Sequence, residues 1–397
     1  MKRGSDASGR GGRDVRTALV SGGRDAAQSL GFVNLPPFRG STVLHENAAA
    51  QIDHTARYTY GRHGNPTMEA LETLWADLAG AAGAVICPSG ANACSTALLA
   101  LLSAGDHLLV TDSVYRPVRH FARTMLARLG IETTFFDPLI GAEIAALIRP
   151  NTRALYLDSP GSQTMELQDV DLLVAIAKDR GVLTLIDDTW GTPLLFDAMG
   201  KGIDVAIHAG TKYPSGHSDV LIGMIAANAA HFPSIKESHR AMGVNAAPDE
   251  IALTLRGLRT LPLRLEAQGA AALAVARWLA ARPEVLAVWH PALEGSPGHS
   301  FFARDFKGAA GLFSFVLRSC ARGAVESFLD ALDLFGMGYS WGGYESLAIH
   351  FDARSYRTHW RDPGGPCIRL QIGLEALDDI LADLDRGLAA WRKAGAG

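Results

Sequence analysis

No apolar run in this chain is long. The strongest, such as 97–102 and 270–276, fall far short of the roughly 20 residues a membrane-spanning helix needs. Charge of one sign is also missing. Lys and Arg number 37 against 41 Asp and Glu, a net of -4, which gives no reason to expect nucleic acid or a membrane surface as partner. Cysteine is sparse. Cys87, Cys94, Cys320 and Cys367 are scattered, with no pair at C-x-x-C spacing. Without a secretory signal they read as buried free thiols in a reducing cytoplasm, and no metal site is expected. The first fourteen residues are rich in Gly, Arg, Ser and Asp and contain no apolar stretch. They are expected to be a disordered tail and not a signal peptide. No internal repeat is found.

What is present is an ordinary globular balance, 48% hydrophobic and 20% charged, over 397 residues. That length suffices for two or three packed units and a large core. From 67 to about 226, short β-like bursts alternate with helical periodicity. The bursts fall at 84–87, 107–111, 131–135, 154–157, 182–186, 204–207 and 221–226. The helical patterns fall at 67–79, 92–102, 118–129 and 170–179. This alternation predicts an α/β fold, a mostly parallel sheet with helices on both faces. Ligands in such sheets bind beyond the carboxyl ends of the strands. After 226 the pattern changes. Helices are expected at 251–259, 267–281 and 376–390, and strands at 312–317 and 368–372. The expected division is a tail and arm over 1–65, a cofactor-binding domain over 66–263, and a smaller C-terminal α+β domain over 264–397.

Five segments carry candidate chemistry. In Ala206-Ile207-His208-Ala209-Gly210-Thr211-Lys212, a lysine arrives at the end of an apolar strand. A partly buried lysine loses its proton readily and suits Schiff-base chemistry; a solvated surface lysine would read the same way. Val182 to Asp187 delivers a carboxylate to the same edge, with Asp187 the better candidate and Asp188 beside it. Such a carboxylate can keep a pyridine nitrogen protonated, although either aspartate could equally cap a turn. Pro88-Ser89-Gly90-Ala91-Asn92 joins a strand to a helix, where first-turn amides can hold a phosphate. Small residues there also serve plain packing, and Thr211 could donate to the same phosphate. Tyr60 and Arg62, two apart before Asn65-Pro66, can both reach an anion, while Asn65 and Pro66 begin a helix. Finally, Arg369 sits on an apolar strand downstream of Ser340-Trp341-Gly342-Gly343-Tyr344-Glu345-Ser346. A buried arginine demands an anion, either a substrate carboxylate or a structural partner such as Glu345 or Glu375. The histidines show no metal-like spacing and read as core or surface bystanders.

Tyr60-Gly61-Arg62 with Asn65-Pro66-Thr67, Thr211-Lys212-Tyr213 with Gly216-His217-Ser218-Asp219, and the run from Ser340 to Leu347 resemble the Cys/Met-metabolism enzymes dependent on pyridoxal 5'-phosphate (PLP). The likeness runs from about residue 58 to 390. The resemblance implies an aspartate-aminotransferase-like fold (fold type I) and a homo-oligomer, usually a dimer of dimers. It implies catalytic roles for Lys212, Tyr115 and Asp187. Lys212 would be the Schiff-base lysine, Asp187 the carboxylate on the pyridine nitrogen, and Tyr115 the tyrosine stacked on the ring. Gly90, Ala91 and Thr211 would hold the phosphate, joined by Tyr60 and Arg62 from a neighbouring subunit. Arg369 would clamp the substrate carboxylate, with Ser340 and Trp341 beside it. Within the family, Ser340 to Ser346 and the stretches 290–317 and 368–384 look like the bacterial cystathionine β-lyase branch. The γ-acting relatives usually carry Leu after the Ser. The implied reaction is α,β-elimination of L-cystathionine to homocysteine, pyruvate and ammonia. A γ-synthase or γ-lyase activity is the nearest alternative, and a non-catalytic PLP-fold regulator a more distant one. Three positions depart from the family pattern: Asp188 where Asn is common, Ala209 where many relatives have Ser, and Arg240 near where some have Tyr.

Overall fold

A computed structural model describes residues 14–25, 27–318 and 322–395. Most of the expected tail and Cys320 lie outside the described residues. The first sheet has seven strands: β1 Gly83–Cys87, β2 His107–Thr111, β3 Glu132–Phe136, β4 Thr152–Asp158, β5 Leu183–Asp187, β6 Val205–His208 and β7 Gly223–Ala227. Their spatial order is β1-β7-β6-β5-β4-β2-β3. β7 runs antiparallel to both neighbours, and every other pairing is parallel. β1, β2, β5, β6 and β7 are apolar along nearly their whole length and almost entirely buried, as a sheet covered on both faces requires.

Local chemistry fixes the connecting helices. Helix Pro66–Ala79 starts where Asn65 accepts from the Met68 amide at 3.0 Å, with Pro66 in the first turn, and ends on Gly80 in the left-handed region. The helical pattern at 118–129 is split into helix Arg116–Phe121 and a π-helical turn at Ala122–Leu126. The arm before residue 66 holds a short helix that periodicity did not signal. In Val15–Ser21, capped by Asp14, Leu19 is fully buried against the first core. Asp14, placed in the tail by composition, is therefore part of the folded chain.

The second sheet is antiparallel, in the order β10-β11-β9-β8, with β8 Val285–Trp289, β9 Leu312–Leu317, β10 Leu347–Phe351 and β11 Cys367–Gln371. Helix Leu261–Ala280 joins the two cores. Leu261 and Leu265 pack in the first, and Ala272, Val275, Ala276 and Leu279 in the second. A cut at residue 264 would sever this helix in its first turn. Cys87, Cys94 and Cys367 are buried free thiols. Among the described residues no helix is long and apolar enough to cross a membrane.

A buried ion cluster pins the two parts together beside the carboxyl end of β2. Asp112, fully buried, accepts from Arg119, from Arg357 at 3.2 Å, and from the Thr358 and His359 amides at 3.0 and 2.8 Å. Arg357 also reaches Glu166 at 2.9 Å and Thr164 at 2.8 Å. Removing one member of a buried ion cluster strands the others, which costs about 3–5 kcal/mol. Arg357→Met is expected to lower the urea midpoint by a corresponding amount. An unchanged midpoint would show that the cluster is not structural.

Candidate active site

The carboxyl ends of β1, β2, β4, β5 and β6 meet at one edge of the first sheet, and a cleft with a cavity volume of about 170 Å³ opens there. Its wall includes Gly90, Ala91, Tyr115, Asp187, Thr211, Lys212, Trp341 and Arg369, eight residues separated by up to 279 positions in the chain. Ser340 stands at the rim, exposed. Tyr60 and Arg62 lie outside this chain's cleft. Tyr60 is exposed, and the Arg62 guanidinium donates to the Arg240 carbonyl at 2.8 Å.

Lys212 follows β6 by four residues. Its Nζ donates to Ser340 Oγ at 2.5 Å and sits 5.3 Å from the centre of the Trp341 ring. Burial, helped by the charge of Arg369, lowers the Lys212 amine to about 8, and Asp187 acts in the opposite sense. Asp187 is the last residue of β5. Its Oδ1 accepts from the Thr189 amide at 3.0 Å and from the Thr189 hydroxyl at 2.5 Å. Its Oδ2 has only the Cys94 thiol nearby, at 4.0 Å. Asp187 thus caps the turn through Oδ1 and also lines the cleft. Burial pushes the Asp187 carboxyl up, while Thr189, His208 and Lys212 draw it down.

Arg369 lies in the middle of β11, opposite Ile349 and Ser314. One guanidinium nitrogen donates to the Ser340 carbonyl at 2.8 Å, and its Nε is buried without a partner. The expected structural partners are engaged elsewhere. Glu345 accepts from Ser218, and Glu375 accepts from the Ser346 amide and hydroxyl. Burial lowers Arg369 to about 10. Among the described residues no carboxylate pairs with it, so the anion that a buried arginine calls for must come from outside the chain.

Backbone constraints bring these groups together. Gly342, at φ +81°, passes so close to Lys212 that a Cβ there would lie 3.0 Å from the Lys212 Cβ. Ser340 itself is left-handed, at φ +77°. Trp341 packs on Tyr213 at 5.4 Å as well as lining the cleft, so it both fills core and shapes the site. At the other end, Ser89 caps helix Gly90–Leu101 through the Asn92 amide at 3.1 Å. The first amides of a helix have no partner within it, which leaves those of Gly90 and Ala91 for a ligand. A Cβ on Gly90 would meet the Ala209 Cβ at 2.6 Å, so only glycine permits this approach. The Thr211 hydroxyl, expected to face a phosphate, donates to the Ile222 carbonyl at 3.1 Å.

Sequence reasoning passed over Thr189, Cys94 and the segment from Asp158 to Gln163, all in the cleft wall. Asp158 ends β4 and accepts from the Tyr115 amide at 2.8 Å, which fixes where Tyr115 enters. The rule of inspecting each strand's carboxyl end would have found it. His208, read as a bystander, is buried against Asp188 at 3.2 Å because β6 ends beside β5.

A cleft-lining carboxylate, a readily deprotonated lysine, free helix amides and a buried arginine without a carboxylate partner make a set that fits PLP. The family model for Cys/Met metabolism PLP-dependent enzymes matches residues 16–389. The chain belongs to this family. It is a PLP-dependent enzyme of the carbon–sulfur lyase type. It is 47% identical over 380 residues to a putative cystathionine beta-lyase of Rhizobium johnstonii, covering 95% of this chain and 96% of the relative. It is 42% identical over 390 residues to the Escherichia coli cystathionine beta-lyase MetC, covering 95% and 98%. Its fold matches a solved cystathionine gamma synthase from Xanthomonas oryzae pv. oryzae, in complex with cystathionine, with TM-score 0.89 and 31% identity, covering 96% and 99%.

Lys212 is expected to titrate near 8 in the apoprotein. Peptide mass spectrometry after acylation across a pH series reads the midpoint. Arg369→Gln should move it upward, since a repelling charge is lost. A wild-type midpoint at the ordinary 10.5 would contradict this.

Proposed function

We propose that this enzyme cleaves L-cystathionine by α,β-elimination, releasing homocysteine, pyruvate and ammonia with consumption of one water. The observation that carries the reading is the Lys212–Ser340–Arg369 chain. One residue, Ser340, holds the amine through its hydroxyl and the guanidinium through its carbonyl. A base and a carboxylate anchor are thereby set at a fixed separation, as removal of a proton from the carbon next to a carboxylate requires.

Bound PLP supplies an aldehyde that condenses with amines and an electron-poor ring that accepts the electron pair released at Cα. The remaining work belongs to the chain. Arg369 binds the substrate α-carboxylate and orients the Cα–H bond toward Lys212. The Lys212 Nζ holds the cofactor in the resting enzyme, then takes the Cα proton and delivers a proton to the departing sulfur. Ser340 Oγ keeps that nitrogen on station. Asp187 would hold a proton on the ring nitrogen. Tyr115 would cover the ring, and the first-turn amides of Gly90 and Ala91 would hold the phosphate, while the Thr211 hydroxyl stays engaged by Ile222. Trp341 bounds the space beyond Cβ, where a γ-acting enzyme has to place its leaving group one carbon further out. The sequence form of Ser340 to Ser346 and the relatives of the β-lyase type support the β reaction, since the fold alone is shared with γ-acting enzymes.

Mass spectrometry of the keto acid formed from L-cystathionine tests the bond broken. Pyruvate with homocysteine is expected, and dominant 2-oxobutyrate with cysteine would reassign the enzyme to γ-elimination.

The site is proposed to need two chains. Tyr60 and Arg62 stand outside their own cleft, and the arm around them leaves Phe32, Leu44 and Ile52 exposed, at 75%, 89% and 68%. We assign Tyr60 and Arg62 to the phosphate of a second copy. Mixing inactive Arg62→Ala with inactive Lys212→Ala subunits should restore activity through hybrid sites. No recovery after verified subunit exchange would contradict the assignment.

A further inference from the structure

Behind the cleft, three carboxylates are crowded at the ends of two strands. Asp158 ends β4 directly opposite Asp187, which ends β5, and Asp188 follows. Asp188 is 1% exposed. Among the described residues no Lys or Arg forms an ion pair with any of the three. Unpaired buried charges are costly, and adjacent carboxylates do not both ionise without a cation between them. The surroundings decide which of the neighbours keeps its charge. Asp187 receives two hydrogen bonds from Thr189 on Oδ1. Asp188 receives no such support. Its Oδ2 meets only His208 Nε2, at 3.2 Å, and its Oδ1 is buried with no partner.

His208 cannot easily supply the missing positive charge. It is 1% exposed, its Nδ1 is also unpartnered, and the Trp75 ring lies edge-on at 4.9 Å. Nδ1–H lacks a partner in an imidazolium and in the neutral Nδ1–H tautomer alike, so what tells against the imidazolium is the extra buried charge it would bring. Other titratable groups facing the pair are Asp187 from β5 and Asp197 from the segment beyond, both of which disfavour a charge on Asp188. β7 contributes Met224 beside His208. Helix Pro66–Ala79 contributes Trp75.

We propose that Asp188 keeps its proton in the folded protein and donates it in a hydrogen bond to His208 Nε2, so that Asp187 is the ionised member of the adjacent pair. Burial works in the same direction on both partners, raising Asp188 well above 3.8 and lowering His208 to about 4. Asp188 and His208 are then positioning residues. They confine the negative charge to the carboxylate that lines the cleft. This consequence for the cofactor's ring nitrogen rests on the role proposed above for Asp187; the proton on Asp188 does not. The chain carries Asp here where the resemblance expects Asn. A protonated Asp is the near-isostere of Asn and, like it, offers both a donor and an acceptor without charge.

The test uses the apoprotein, so its outcome stands apart from turnover. An acid whose folded pKa is raised has its stabilising effect fully present below the unfolded value and loses it as pH rises toward the folded value. The unfolding constant of wild type relative to Asp188→Asn, from urea titrations at pH 5 to 8, should rise about tenfold per pH unit. A flat ratio would overturn the proposal, since an ionised Asp188 exchanges no proton on unfolding in that range. Infrared difference spectra of wild type against His208→Gln provide a second reading, independent of how Asp188→Asn folds. The Gln carbonyl still accepts from the acid, so a protonated-carboxyl band should shift and persist. Carboxylate bands alone in that difference would equally overturn it.

Discussion

Arg369 is a buried charge that the chain leaves unsatisfied, and much of the site's construction follows from that. A guanidinium inside a sheet is tolerated when hydrogen bonds and a counter-ion replace its water. Here one bond comes from the Ser340 carbonyl, and among the described residues no counter-ion pairs with it. To reach Arg369, Ser340 adopts a left-handed backbone, and Gly342 presses against Lys212, an approach that any side chain at 342 would obstruct. The same Ser340 then captures the Lys212 amine through its hydroxyl. Arg369 also repels a proton on that amine, so the carboxylate anchor helps make the base.

The charge layout along the cleft follows from the sheet. Parallel strands deliver their carboxyl ends to one edge, which is why Asp158, Asp187 and Asp188 crowd together at the depth of the site. The second sheet brings Arg369 to the opposite side. The cluster of Asp112, Arg119, Arg357 and Glu166 holds the two parts in register beside Tyr115. Negative charge at the ring end and positive charge at the carboxylate end would orient an amino-acid adduct one way round.

The first sheet was legible because most of its strands are short and apolar, and most are separated by helices of regular period. His107–Thr111 and helix Val170–Asp179 have the bounds that periodicity indicated. The second sheet was less so. Val285–Trp289 is half-exposed and Leu347–Phe351 shows no clean alternation, and both lie next to loops that blur their period. Helices Phe232–Ala241 and Arg322–Asp330 were missed because both are short and the first is mostly polar. At the site, Lys212, Asp187 and Arg369 could be found from single strands. The engagement of Glu345 and Glu375 by serines, the bond from Thr211 to Ile222 and the Asp188–His208 contact could not, because each joins residues whose meeting depends on the tertiary fold.

The central claim is that Arg369 anchors the carboxylate of a substrate whose Cα proton Lys212 removes. L-Alanine isolates that step, since it has the carboxylate and the Cα hydrogen but nothing to expel. In D2O, proton NMR of L-alanine with the PLP-loaded enzyme reads exchange at Cα directly. The account predicts measurable exchange by the wild type and a loss of about a hundredfold or more in Arg369→Gln, the scale expected when a reacting group loses its alignment. Exchange by Arg369→Gln at the wild-type rate would contradict it.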